Sequence, residues 1–246
     1  MKTLMKRHLP PAFLDIARRL RGALPFWAMT RKGRWIRREY CQFGQDQRDF
    51  VFMSIARFLH INRPVPGYYF EFGCNEANTI RKAWDHFQHL FDFTYVGFDS
   101  FEGLPEIAEV DQQLIWKRGK LAFAEERFIR RVRGHGVPAG KLRTVKGFYD
   151  ASLTRKLKDS LLPARAAVIY IDCDLYVSTV PVLEWIVDFL QVGTVIVFDD
   201  WYCFHGDPRR GEQLAWKEFR HRHPELRFSE FVQTNEAMSF IYVGRD

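Results

Sequence analysis

The sequence lacks the patterns of a zinc-ribbon, disulfide-stabilised or membrane-spanning protein. Its four cysteines form no CxxC pair and follow no regular spacing, which argues against a zinc ribbon and against a disulfide framework. No run approaches the ~20 apolar residues that a spanning helix needs, and the opening MKTLMKRHLPP lacks the apolar core of a signal peptide. These absences predict a cytoplasmic protein whose thiols are reduced and which does not insert into a membrane.

The composition is that of a globular protein with a full hydrophobic core. Of the 246 residues, 47% are hydrophobic and 16% aromatic, which predicts one α/β domain with a small N-terminal addition. The formal net charge is +7, and basic residues concentrate in residues 2–38 and 127–158. Such a charge attracts phosphates, nucleic acid or an acidic membrane surface. The candidate site described next, at the ends of two strands, is instead acidic. We therefore expect no nucleic-acid groove there.

Two apolar stretches, residues 166–171 and 195–198, each end in a pair of carboxylates. Ligands of open α/β sheets bind beyond the carboxyl ends of the strands, so both pairs are expected at one crevice. The four residues are Asp172, Asp174, Asp199 and Asp200. Three of them, Asp172, Asp199 and Asp200, would repel each other unless a cation compensated their charge. For Asp174 we favour a helix cap or a surface turn, and Ser178 or Thr179 is expected to cap the helix that follows.

Earlier in the chain, two more strands end in residues suited to a nucleoside. A strand over residues 68–72 carries Glu71 and leads through Gly73 into a helix, and this turn lets the backbone approach a ligand closely. The turn is not the GxGxxG of a dinucleotide fold. The next strand ends at Asp99, whose carboxylate can accept two hydrogen bonds from a ribose diol. After a third strand, Phe148 and Tyr149 either flank an adenine ring or pack at the rim.

The order of elements predicts the topology of the sheet. Five strand and helix alternations are followed by two strands separated by only a few residues, which must pair antiparallel because parallel strands need a long crossover. We expect a seven-stranded, mostly parallel sheet with one antiparallel strand and helices on both faces. Residues 1–62 are predicted to form an N-terminal helical extension or lid, and residues 63–246 the main domain. A basic amphipathic helix over residues 12–24 fits a lid, a subunit contact or a membrane surface.

Four local motifs occur in a characteristic order. They are GFDSFEGLP (97–105), GFYDASL (147–153), YIDCDLYVST (170–179), and VIVFDDW (195–201) with a following GEQLAWKEF. In this order they resemble the macrocin O-methyltransferase (TylF) family of class I S-adenosylmethionine-dependent methyltransferases, over residues 68–219. The resemblance implies a Rossmann-like fold and methyl transfer from S-adenosylmethionine to a hydroxyl, with a divalent ion, usually Mg²⁺, holding the acceptor.

The resemblance also implies roles for individual residues. The metal ligands are Asp172, Asp199 and Asp200, whose carboxylate oxygens are the kind that Mg²⁺ prefers. Asp172 is also the first candidate for the base that takes the acceptor's proton, and His205 is the second. The implied cofactor-binding set is Glu71, Gly73, Cys74, Asn75, Thr79, Asp99, Ser100, Phe101, Gly147, Phe148 and Asp172. These enzymes usually carry a second glycine near Ala77 or Asn78, which this chain lacks.

Two alternatives stay open at the level of the sequence. One is a metal-independent methyltransferase, including one that acts on RNA, although the chain lacks an Asn/Asp-Pro-Pro-aromatic motif for methylation of base amino groups. The other is a non-catalytic cofactor-binding protein of the same fold, which the missing second glycine favours. The expected partner is a hydroxylated small molecule such as a sugar, and a homo-oligomer is left open.

Overall fold

The structure, a computed structural model, describes residues 30–35, 46–62 and 65–246. Residues 31–35 are helical, and Gln47–Asp246 form a compact unit by themselves. The predicted helix over residues 12–24 lies outside the described residues. Among the described residues, no helix has both the length and the apolar character required to cross a bilayer.

The unit Gln47–Asp246 alternates helices with strands. Its helices are α1 (Gln47–Ile61), α2 (Asn78–Phe87), α3 (Glu125–Gly134), α4 (Tyr149–Ser152), α5 (Arg155–Leu161), α6 (Tyr176–Ile186) and α7 (Gly211–Arg222). Its strands are β1 (Tyr68–Phe72), β2 (Thr94–Asp99), β3 (Leu142–Lys146), β4 (Ala166–Ile171), β5 (Val195–Phe198), β6 (Leu226–Gln233) and β7 (Met238–Arg245). Short 3₁₀ turns lie at Glu109–Asp111, Ala139–Lys141, Val187–Phe189 and Phe204–Gly206.

All seven strands form one sheet in the order β3-β2-β1-β4-β5-β7-β6. The first five strands are parallel, and β7 runs antiparallel to both β5 and β6. The predicted seven-stranded, mostly parallel sheet with one reversed strand is confirmed. The closing pair β6 and β7 forms the antiparallel hairpin that its short connection requires.

Both faces of the sheet are covered by helices, so its central strands are buried on two sides. Every residue of β4 is buried, as expected for a parallel strand between two layers of helices. On one face, α1, α2 and α3 contribute Phe52, Ile80 and Phe128 to the core. On the other face, α6 and α7 pack through residues such as Trp185 and Trp216. Helix α1, which the sequence assigned to the N-terminal extension, thus packs into the main core.

The register of the parallel strands aligns their carboxyl ends. Phe72 pairs with Ile171, and Ile171 pairs with Phe198. The amide of Asp172 donates to the carbonyl of Phe72 at 2.8 Å, and that of Asp199 donates to Ile171 at 2.9 Å. The residues that follow β1, β4 and β5 therefore leave the sheet at one level, which brings their side chains to one edge.

The start of α6 differs from the prediction. Ser178 and Thr179 do not cap this helix: they lie inside its first turn, where the Thr179 hydroxyl donates to the carbonyl of Leu175 at 2.8 Å. The capping acceptor is Asp111, a residue of the segment between β2 and α3. Its carboxylate accepts from the amide of Tyr176 at 2.7 Å and from that of Val177 at 3.1 Å. A cap from so distant a residue leaves no local signal in the sequence.

Candidate active site

A cavity of about 420 Å³ lies at the carboxyl ends of β1 to β4. Its inner wall contains Gly73, Asp99, Gly147 and Asp172, each of which ends or directly follows one of these strands. This is the edge at which open α/β sheets bind ligands, and the volume is typical of small-molecule sites. Four strand ends predicted from the sequence thus meet at one cavity.

The loop after β1 brings the backbone close to the cavity. Gly73 has φ +87°, and a Cβ at this position would overlap the carbonyl oxygen of Asp172, so only glycine allows the two strand ends to approach. Ala77, where related enzymes usually have a second glycine, is fully buried and has φ 63°. It therefore keeps the left-handed conformation that glycine would favour, at a cost of about 1–2 kcal/mol.

Asp99 joins the loops that follow β1 and β2. Its Oδ2 accepts from the amides of Cys74 at 2.7 Å and Asn75 at 3.2 Å, and its Oδ1 accepts from the amide of Phe101 at 2.6 Å. The hydroxyl of the adjacent Ser100 donates to the carbonyl of Gly103 at 2.8 Å. The carboxylate is consequently held in one orientation at the cavity wall.

The predicted cofactor-binding residues divide into two groups. Seven line the cavity: Gly73, Asn75, Asp99, Ser100, Gly147, Phe148 and Asp172. The other four, Glu71, Cys74, Thr79 and Phe101, are buried and are not among the residues that line it. Phe101 packs against Phe128 with ring centroids 5.6 Å apart, and Thr79 accepts a hydrogen bond from Arg48 at 2.9 Å. The second group supports the wall from behind, and its contact with a cofactor stays a prediction.

Glu71 is a fully buried carboxyl group behind the cavity. The Tyr69 hydroxyl donates to its Oε2 at 2.6 Å, whereas its Oε1 has no hydrogen-bond partner among the described residues. Burial raises the pKa of Glu71 to about 8, against the opposing effects of the Tyr69 hydroxyl and of the nearby Arg48 charge. At neutral pH this group is mostly a neutral acid.

An acidic cluster lies at the ends of β4 and β5. Carboxylate oxygens of Asp172, Asp174 and Asp200 all lie within 4.8 Å of one another. Three hard oxygen donors at this spacing fit a divalent cation such as Mg²⁺. Asp199, the third ligand implied by the resemblance, instead accepts a hydrogen bond from the Tyr170 hydroxyl. Two of the three predicted ligands are therefore brought together, and the assignment of Asp199 stays a prediction.

Asp174 is neither a helix cap nor a surface turn, so the favoured interpretation of this residue is wrong. Its side chain is buried, its backbone has φ 60°, and its amide donates to Asp200 Oδ2 at 3.1 Å. Left-handed backbone at a non-glycine residue is costly and is found preferentially at functional sites. The left-handed backbone at Asp174 places its carboxylate beside Asp200, which the spacing of the aspartates in the sequence did not reveal.

Burial and mutual repulsion raise the pKa of all three clustered carboxyl groups. Burial is the main cause for Asp172 and Asp174, and neighbouring aspartates add to it. For Asp200 the pKa rises to about 6, because burial and the charge of Asp199 outweigh the hydrogen bonds that it accepts. The cluster therefore disfavours its full negative charge, and a bound cation would reverse this preference.

Glu212, at the start of α7, supports the cluster and was not predicted from the sequence. It is buried, and its Oε2 accepts from the amide of Asp200 at 3.1 Å, while the Cys203 thiol donates to Asp200 Oδ1 at 3.2 Å. The other carboxylate oxygen of Glu212, Oε1, lacks a hydrogen-bond partner among the described residues. The only sequence signal for Glu212 was its place in the GEQLAWKEF motif.

His205 is exposed on the 3₁₀ turn after β5, with φ 59°, and does not line the cavity, so its role as a base stays a prediction.

Comparisons with known proteins give a family from the sequence and a fold from solved structures. The sequence model of the family described as macrocin O-methyltransferase (TylF) matches residues 64–227. The structure of the O-methyltransferase NovP superimposes with a TM-score of 0.65 at 21% identity, covering 81% of this chain and 80% of that chain. The calicheamicin methyltransferase CalS11 superimposes with a TM-score of 0.66 at 19% identity, covering 95% and 94%.

A third structure, the methyltransferase PaMTH1 of Podospora anserina bound to S-adenosylhomocysteine, has a TM-score of 0.51 at 13% identity, covering 96% of this chain and 98% of that chain. At these identities the structural likeness shows the fold alone. A search of curated proteins finds no match.

Proposed function

The chain belongs to the macrocin O-methyltransferase (TylF) family and is an S-adenosylmethionine-dependent methyltransferase, and on this premise we propose that it methylates a hydroxyl of a sugar or another polyhydroxylated small molecule with Mg²⁺ bound at the acidic cluster. The observation that carries the proposal is the group of Asp172, Asp174 and Asp200 at the edge of the cavity. A sugar acceptor is supported by CalS11, which is described as a TDP-rhamnose 3'-O-methyltransferase.

The volume of the cavity and the polar residues of its walls support S-adenosylmethionine as its ligand. When bound, the cofactor supplies an electrophilic methyl group on a sulfonium. Asp99 is fixed at the wall by three backbone amides, and its Oδ1, which accepts from only one of them, would accept a hydrogen bond from a ribose hydroxyl. Gly73 would contribute backbone to the wall beside the cofactor, because it allows the ends of β1 and β4 to approach each other there. Phe148, which is partly exposed at the rim, would flank the adenine.

The acidic cluster supplies the residues that would hold the metal and move the proton. Mg²⁺ bound there would lower the pKa of an acceptor hydroxyl. Asp172 lines the cavity, so its carboxylate would be placed to accept the hydroxyl proton once a cation stabilises its charged form. The walls of the cavity would hold the acceptor hydroxyl near the methyl group, and this proximity would contribute to the acceleration.

The distances between carboxylate oxygens support Asp174 as the third protein ligand of the metal, whereas the family resemblance supports Asp199. These assignments give different expectations for two matched variants. If Asp174 is the ligand, Asp174→Asn weakens the apparent Mg²⁺ affinity about tenfold or more, whereas Asp199→Asn, which keeps an oxygen that can accept from Tyr170, changes this affinity less. If Asp199 turns toward the ion when it binds, the order of the two effects reverses. Asp172 and Asp200 are required in both cases.

The experiment measures methyl transfer from isotopically labelled S-adenosylmethionine to a panel of sugars and nucleotide sugars. Chelation of the metal should lower turnover about 100-fold or more, while the dissociation constant of S-adenosylhomocysteine changes less than about threefold. Mg²⁺ should restore the rate, and Ca²⁺ should restore less of it because its bonds are longer and its geometry looser. Asp159→Asn, an exposed aspartate paired with Arg155, is the control.

Two outcomes would overturn the proposal. Full turnover in chelator would remove the metal from the mechanism and favour the metal-independent alternative, with His205 as the base. The absence of any binding heat for S-adenosylmethionine, S-adenosylhomocysteine and Mg²⁺ in the folded protein would favour the non-catalytic alternative.

A further inference from the structure

The segment between β2 and α3, residues 100–124, forms the outer wall of the cavity, and we refer to it as the β2–α3 loop. It contributes Gly103, Leu104, Pro105, Glu106, Arg118 and Leu121 to the lining. The two legs of the loop are joined by backbone hydrogen bonds, from Leu104 to Lys120 and from Gly119 to Leu104, both at 2.9 Å. The legs therefore form one unit whose position over the cavity depends on what holds the residues between them.

Between the two legs, Asp111 fixes the loop to α6. Asp111 is fully buried in the 3₁₀ turn Glu109–Asp111, and its two carboxylate oxygens accept from the first two amides of α6. That helix begins two residues after Asp174 and carries Val177 and Pro181, which also line the cavity. The side chain of Asp111 thus connects two segments that line the cavity, the β2–α3 loop and α6.

Arg210 holds the same turn from the other side. Its Nε donates to the carbonyl of Val110 at 3.1 Å and its Nη2 to that of Gln112 at 2.6 Å, so it binds the residues on both sides of Asp111. The guanidinium lies 4.8 Å from the centre of the Phe204 ring. Phe204 packs so closely on Gly211 that a Cβ there would lie 2.7 Å from the ring.

These contacts connect the loop to both parts of the acidic cluster. Gly211 is the first residue of α7, and the next residue, Glu212, accepts a hydrogen bond from the Asp200 amide. On the other side, the helix held by Asp111 follows directly after Asp172 and Asp174. The turn Glu109–Asp111 is therefore fixed between the segment that carries Asp174 and the segment that follows Asp200.

We propose that Asp111 and Arg210 are positioning residues that hold the β2–α3 loop at a fixed distance from α6 and the acidic cluster, and so define the part of the cavity that receives the acceptor. The effect on the acceptor rests on the proposed function, whereas the effect on the loop does not. Arg210 is suited to this task because its planar fork can bind two carbonyl groups while its face stacks on an aromatic ring.

The first test is hydrogen exchange of the full-length protein, measured by mass spectrometry for Asp111→Asn, Arg210→Ala and Arg210→Lys. Arg209→Ala is the matched control, because Arg209 is exposed and binds only the neighbouring Asp207 in the contacts described. In Arg210→Ala, the amides of Tyr176 and Val177 should exchange about tenfold faster than in the wild type. Arg210→Lys, which cannot bind both carbonyls in one plane, should show an intermediate rate, and the control should match the wild type.

The second test is cleavage by trypsin after Lys117, Arg118 and Lys120, which are exposed on the second leg of the loop. Cleavage there should be about five- to tenfold faster in Arg210→Ala than in the wild type, with cleavage in α3 unchanged. With an identified acceptor, its KM should rise about tenfold, while kcat and the dissociation constant of S-adenosylhomocysteine stay within about threefold.

Exchange and cleavage need no acceptor, so these two tests can fail independently of the proposed function. Wild-type exchange at α6 and wild-type cleavage in folded Arg210→Ala and Asp111→Asn would overturn the role of the two residues. A released loop with an unchanged acceptor KM would overturn the role in acceptor binding. If Asp111→Asn does not fold, the less buried Arg210 variants decide the outcome.

Discussion

Glu71 is a residue whose protonation should be visible in the stability of the whole domain. Its folded pKa of about 8 lies above the ordinary value of 4.5 because the carboxyl group is buried. Below about pH 4.5 both the folded and the unfolded states are protonated, and between the two values only the unfolded state loses the proton. The free energy of unfolding of the wild type should therefore fall as pH rises through this interval.

Glu71→Gln removes this titration and keeps an oxygen that can accept from the Tyr69 hydroxyl. The variant should gain stability over the wild type as pH rises from about 5 to 8, by on the order of 1.4 kcal/mol for each unit by which the pKa is raised. Urea unfolding at several pH values measures the difference. Parallel stability curves for the two proteins would contradict a titrating Glu71.

Single residues at strand ends were predictable from the sequence, and their orientations were not. Gly73, Asp99 and Asp172 follow apolar runs, and all three line the cavity as their positions indicated. Whether Asp174 or Asp199 joins Asp172 and Asp200 in the cluster depends on the left-handed backbone at Asp174 and on the hydrogen bond from the Tyr170 hydroxyl to Asp199. Neither feature belongs to a period or a spacing that can be read from the chain.

At the scale of elements, the start of α7 supports the end of β5. Glu212 accepts a hydrogen bond from the Asp200 amide, and burial, together with three neighbouring aspartates, raises the pKa of its carboxyl group well above its ordinary value. Glu212→Gln keeps an acceptor for this amide, so we expect a free energy of unfolding within about 1 kcal/mol of the wild type. Glu212→Ala leaves the amide unpaired beside a void and should cost about 2–4 kcal/mol.

Denaturant unfolding with and without Mg²⁺ checks this expectation, with Lys217→Ala on the exposed side of the same helix as the control. The control should change stability by less than about 0.5 kcal/mol. Equal losses for Glu212→Gln and Glu212→Ala would show that the charge of the carboxylate, and not the hydrogen bond, stabilises the strand end.

Helix α6 shows why elements could be predicted better than their ends. Its apolar stripe made the helix visible in the sequence, since Val182, Leu183 and Ile186 are all buried. Its capping residue, Asp111, comes from a different part of the chain and acts only in the folded protein. Local cap patterns assume that a helix supplies its own acceptor, and this assumption failed here.

At the scale of the whole molecule, the number and the directions of the strands could be predicted from the sequence, but their spatial order could not. Alternating apolar strands and amphipathic helices, with a closing pair too close for a crossover, were enough for a mostly parallel sheet of seven strands. The spatial order, in which β1 and β4 are neighbours, is not encoded in any period of the sequence. The acidic cavity in a chain of net charge +7 also reflects this order, since it gathers carboxylates from distant segments.

The unit Gln47–Asp246 contains the whole sheet, both cores, the cavity and the acidic cluster. A chain that begins at Asp46 should therefore unfold cooperatively and bind S-adenosylhomocysteine within about threefold of the full-length protein. A chain that begins at Val65 loses α1, whose Val51, Phe52, Ile55 and Leu59 are buried in the core. Each of these side chains contributes about 1.5–3 kcal/mol, so the shorter chain should not form a stable domain.

Calorimetric titration and thermal unfolding of the two truncated chains separate the structural from the functional part of residues 1–62. If the segment before Gln47 is the predicted lid or subunit contact, the chain that begins at Asp46 keeps cofactor binding but changes the KM for the acceptor or the mass of the assembly in solution. Loss of cofactor binding in that truncation would instead make this segment part of the cofactor site. Stable folding of the chain that begins at Val65 would show that α1 belongs to the extension, because a core helix cannot be removed without exposing the apolar surface that it covers.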